Sequence, residues 1–69
     1  MNNKKSSNKK YSHYEIDQKV IITHEDNGIP VGVATILDNL KVKRNGKYAN
    51  KVVDSYGKIG YVKLKYIED

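Results

Sequence analysis

The chain has 69 residues and a formal net charge of +5, with six tyrosines and no cysteine, tryptophan or phenylalanine. A chain this short holds one domain with a modest core, burying about 60% of its unfolded surface, and the missing cysteines exclude disulfide staples and thiolate metal sites. The longest apolar run, Val20-Ile21-Ile22, falls far short of the roughly 20 residues of a membrane span, and no apolar stretch follows the N-terminal lysines; a whole, soluble, cytoplasmic chain without membrane association is the expectation.

Charge changes sign along the chain. Residues 1–13 carry Lys4, Lys5, Lys9 and Lys10 and no acid, and Met1 is the one apolar residue among the first ten. Nothing there offsets the entropy of ordering the backbone, so 1–13 is expected to be a disordered basic arm preceding a single domain over 14–69. Residues 14–38 set Lys19 against Glu15, Asp17, Glu25, Asp26 and Asp38. Residues 39–69 set Lys41, Lys43, Arg44, Lys47, Lys51, Lys58, Lys63 and Lys65 against Asp54, Glu68 and Asp69. The domain is thus nearly neutral and electrically two-sided.

From Tyr14 onward the pattern has the period of strands, with turn residues at short intervals. Residues 18–23, rich in β-branched side chains, predict a first strand, and the polar 24–30 with Gly28 and Pro30 a loop or a wide, mobile hairpin end. A second strand over 31–37 contains Gly32, where a bulge is allowed; Asp38-Asn39 reads as a turn into a third strand over 40–44. Asn45-Gly46 is the strongest local signal, because both central residues of a type I′ turn need positive φ. It predicts an antiparallel hairpin of 41–44 with 47–53. Ser55-Tyr56-Gly57 turns the chain into a strand over 58–62, and the last residues predict a tight turn with a closing strand around Tyr66 and Ile67. Five short strands without a helix favour a small all-β barrel, because closure removes exposed strand edges.

Gly57-Lys58-Ile59-Gly60-Tyr61-Val62 and, three residues later, Tyr66-Ile67, preceded by Lys51-Val52-Val53, resemble the closing segment of Src-homology-3-like small β-barrels of the bacterial type. The resemblance implies a five-stranded barrel with one turn of tight helix before the last strand. It departs from the proline-binding members: their tryptophan is missing and Lys63 stands at their proline position, leaving Tyr66 as the one groove residue that carries over. Proline-rich ligands are therefore not expected, since such a groove needs an aromatic wall. Val31-Gly32-Val33-Ala34-Thr35-Ile36 also resembles ribosomal and transcription-factor small barrels with a glycine in the second strand.

The inventory for catalysis is thin. His13 and His24 are the only histidines, and His24-Glu25-Asp26 are adjacent residues whose side chains diverge, so no metal is expected. Three of the four serines fall in the arm and Ser55 in a turn, without a partnered base. No phosphate-cradling glycine pattern is present; the chain reads as a non-enzyme without cofactor. The tyrosines remain. Tyr48, Tyr56 and Tyr61 packed over sheet faces with wet hydroxyls would be a structural role. The functional reading is a binding surface of Lys43, Arg44, Lys47, Tyr48, Lys51, Tyr61, Lys63, Lys65 and Tyr66, cations interleaved with aromatics.

Two partner classes follow. In the first, a stand-alone barrel docks onto a larger protein with acidic surface, as accessory proteins of low-GC Gram-positive bacteria, their phages or mobile elements do on a host machine. In the second, the basic hairpin and N-terminal arm bind nucleic acid. The acidic 14–38 stretch, on the same small body, favours the first. The sequence sets no oligomeric state.

Overall fold

The structure, a computed structural model, describes residues 10–69. It is all-β apart from one turn of 3-10 helix: β1 (Lys19–Ile22), β2 (Gly32–Arg44), β3 (Lys47–Asp54), β4 (Ile59–Lys63), η1 (Leu64–Tyr66) and β5 (Ile67–Glu68). The strands form one antiparallel sheet in the order β4-β3-β2-β1-β5. Alternation sets the faces. In β1, Val20 and Ile22 point inward while Lys19 and Ile21 are exposed. Ala34 and Ile36 of β2, Val52 of β3, Val62 of β4 and Ile67 complete the core with Ile29 and Tyr14. Tyr14 is buried and donates its hydroxyl proton to the Ile67 carbonyl at 2.9 Å, tying the segment before β1 to β5.

The expected turn at Asp38-Asn39 is not a turn: the second and third predicted strands are one strand, β2. Its register against β3 slips twice. Ile36 pairs Val52, Asp38 pairs Lys51 and Val42 pairs Ala49, so β2 carries extra residues on either side of Asp38 and bends there. Polar groups that favour a reversal in isolation are satisfied within the bend instead. The buried Asn50 donates from Nδ2 to the Asp38 carbonyl (2.9 Å) and to Ser12 Oγ (3.0 Å). Leu40 N–H donates to Asp38 Oδ1 at 3.0 Å, and Ser12 N–H to the Asn39 carbonyl at 2.8 Å.

Of the expected arm, residues 1–9 lie outside the described residues. Tyr11 forms an antiparallel bridge with Leu40, and Lys41 N–H donates to the Lys10 carbonyl at 2.9 Å. Residues 10–12 therefore lie along the edge of β2 opposite β3.

The β1–β2 connection is a hairpin end, one of the two forms expected, but a tight one rather than a wide one. Asp26 and Ile29 exchange both backbone hydrogen bonds (2.8 and 3.1 Å) around Asn27 and Gly28, whose φ values of 51° and 81° make a tight turn. Ile29 is thereby driven into the core, fully buried. It lies over Gly60, where a Cβ would sit 3.2 Å from Ile29 Cγ1. No ladder joins β4 to β5 among the described residues, so the sheet does not close by strand pairing. The turn bridges part of the gap: Asn27 Nδ2 donates to the Tyr61 carbonyl (2.7 Å), and Lys63 N–H to Asp26 Oδ2 (2.9 Å), both on the outer edge of β4.

The two other hairpins follow the sequence. Asn45 and Gly46 have φ of 53° and 78°. Asp54 Oδ1 accepts from the N–H groups of Tyr56 and Lys58, each at 2.8 Å, to build the β3–β4 turn. After β4, η1 delivers the Tyr66 carbonyl to Thr23 N–H at 2.8 Å and leads into β5, which pairs β1 through Ile22 and Ile67.

Candidate functional site

Beyond the bend, β2 and β3 continue as a two-stranded ribbon, with Val42 opposite Ala49, Lys43 opposite Tyr48 and Arg44 opposite Lys47. The pairing of β4 with β3 stops at Ala49, and the last contact of the N-terminal segment is with Lys41. Residues 43–48 thus pair only with one another among the described residues, and all six are exposed.

Strand alternation puts cations on both faces of this ribbon. On one face Lys41 Nζ lies 4.8 Å and Lys43 Nζ 5.5 Å from the centre of the Tyr48 ring. On the other, the Arg44 guanidinium carbon lies 4.9 Å from the centre of the Tyr61 ring, and Tyr61 is the register partner of Lys51. An exposed cation–ring contact is worth about 0.5–1 kcal/mol, enough to bias these side chains and too little to hold them against a phosphate. No acidic residue lies between Asn39 and Val53. Among the described residues the one ion pair is Lys63–Asp26 at 3.2 Å, so the ribbon's cations have no carboxylate partner there.

The nine residues singled out in the sequence do not form one surface. Lys43, Arg44, Lys47 and Tyr48 are on the ribbon, with Lys51 and Tyr61 at its base. Lys63, Lys65 and Tyr66 form a separate corner: Lys63 and Lys65 approach the Tyr66 ring at 5.7 and 5.4 Å, His24 stacks on it at 4.8 Å, and Asp26 offsets the Lys63 charge. Two members of these clusters were missed. Lys41 was legible, since it lies two residues before Lys43 on a strand and so shares its face. His24 reaches Tyr66 only through the tertiary contact between the β1–β2 turn and η1.

Elsewhere the chemistry is sparse. Among the described residues no group of three His, Cys, Asp or Glu is placed to hold a metal ion. His24 Nδ1 is 3.0 Å from Thr23 Oγ1, while Asp26 is engaged with β4. A shallow groove of about 210 Å3, lined by Lys19, Val20, Ile21, Val33 and Asp69, has mostly apolar walls. No helix is long and apolar enough to cross a membrane among the described residues. Comparison with protein-family models, with curated proteins and with solved structures returned no match.

Proposed function

We propose that this protein is a non-catalytic binding module, a Src-homology-3-like small barrel that uses its basic ribbon to bind nucleic acid through the phosphate backbone. The barrel reading is supported by the resemblance of the closing segment, by η1 leading into a last strand paired with β1, and by the β1–β2 turn bonded to the edge of β4. The observation that carries the function is the ribbon itself: Lys41, Lys43, Arg44 and Lys47 stand on a hairpin without a carboxylate. Polyanions bind such surfaces by releasing counterions. The acidic stretch bears on this reading less than its charge suggests: Glu15, Asp17, Glu25 and Asp26 lie outside the paired residues of the ribbon, and Asp38, opposite Lys51, stands at the bend below it.

Docking onto a larger protein is the second reading, favoured by one different observation. Ile21 and Val33 face each other across β1 and β2, and with Ile59 they are 43–56% exposed on the outer face of the sheet. Contacts to phosphates make no use of such side chains, whereas the core of a protein interface does. Fluorescence anisotropy with a labelled oligonucleotide at low salt separates the readings. Binding that is lost in the Lys43→Ala, Arg44→Ala, Lys47→Ala triple variant supports the first. A full-length chain that does not bind, together with a protein partner whose capture survives nuclease, overturns it in favour of the second.

A further inference from the structure

We infer that the ribbon seats in the major groove of B-form duplex DNA; this deepens, and rests on, the nucleic-acid reading above. Shape is the first argument. Entering tip first with its faces toward the walls, a two-stranded ribbon with side chains on both faces is on the order of 10 Å thick, which fits a groove about 12 Å wide, as the major groove is, and not one about 6 Å wide. From Val42 to the Asn45-Gly46 tip the ribbon advances three residues, about 10 Å, against a groove depth of about 8.5 Å.

The placement of cations is the second argument. A ribbon lying in a groove meets a phosphate wall on each side. Lys41 and Lys43 leave one face, and Arg44 and Lys47 the other, so both walls are reached. A platform for single strands needs the converse, several free aromatic rings on one face. Here Tyr48 and Tyr61 belong to opposite faces, and each ring is already occupied by a cation of the protein itself. Duplex RNA fits poorly for another reason: its major groove is too narrow and deep for side chains to enter.

The test uses the full chain and one sequence in three forms: a 20-base-pair DNA duplex, the corresponding RNA duplex, and each DNA single strand. Anisotropy titrations at several salt concentrations should show the DNA duplex bound at least about tenfold more tightly than the other forms. Removing Lys43, Arg44 and Lys47 should reduce the slope of log K against log salt on duplex DNA by about 2.7, at roughly 0.9 per phosphate contact. Tyr48→Leu should change duplex affinity less than about threefold, because the ring positions cations and does not stack on bases. Equal affinity for single strands, with a tenfold loss in Tyr48→Leu, would overturn the groove assignment while leaving nucleic-acid binding intact. Equal affinity for the RNA duplex would overturn it likewise. If no form binds at low salt, the underlying reading fails as well.

Discussion

Replacing Asn50 tests whether the bend in β2 is held from beneath. Asn50 is fully buried, and its Nδ2 supplies donors to the Asp38 carbonyl at 2.9 Å and to Ser12 Oγ at 3.0 Å, while its Oδ1 has no protein partner. In Asn50→Ala both bonds go and the buried carbonyl is left without that donor. Two neutral hydrogen bonds at about 1 kcal/mol each give a cost of about 2 kcal/mol, slightly eased by removal of the unpartnered Oδ1. For a domain of this size that is a fall in Tm of about 8–16 °C. Asn50→Asp sharpens the test: at neutral pH it sets a buried carboxylate against the Asp38 carbonyl, at a cost of about 3–5 kcal/mol. Its pKa is then raised in the folded state, so the folded form binds the proton more tightly and the deficit relative to wild type shrinks as pH falls. Thermal melts followed by circular dichroism from pH 4 to 8 read both effects. A Tm for Asn50→Ala within 2 °C of wild type, or an Asn50→Asp deficit that ignores pH, would refute the role given to Asn50.

Two further outcomes are expected. Burial, and after it the nearby Asp69 and Glu68 carboxylates, raise the pKa of Tyr14 above the ordinary tyrosine range. The unfolded chain therefore loses this proton first, and stability declines as pH rises through the ordinary tyrosine range toward the folded value. Tyr14→Phe should flatten that alkaline decline in urea melts, while losing about 1 kcal/mol below it with the bond to Ile67. The Asp26→Ala, Asn27→Ala double variant strips the side chains bonded to the outer edge of β4. Light scattering on heating should then show association at a lower temperature than for wild type, since an uncovered edge invites strand pairing; an unchanged onset would argue that another element protects this edge.

Local chemistry made much of the sheet legible. The Asn45-Gly46 hairpin, the alternation in β1 and the closing strand at Ile67 depend on residues within a few positions of one another, where propensity and turn geometry act directly. Asp38-Asn39 misled because the partners that keep the strand running, Ser12 and Asn50, are remote in sequence. Ile29 was hidden for a similar reason, its burial depending on space left by Gly60 more than thirty residues away. For the site, residue type and strand period sufficed for the ribbon. The separation of Tyr66 and Lys63 from it did not follow from sequence, because it depends on Asp26 and His24 reaching across from another turn.

The bridge between Tyr11 and Leu40 has a practical side. It places Tyr11 beside the base of the ribbon, so a fluorophore attached at position 11 would sit next to the basic surface and compete with whatever binds there. Asp69 instead lines the groove formed with Lys19, Val20, Ile21 and Val33, by the first residues of β2 rather than its tip. Fusions for immobilisation or labelling are accordingly best made at the carboxyl end.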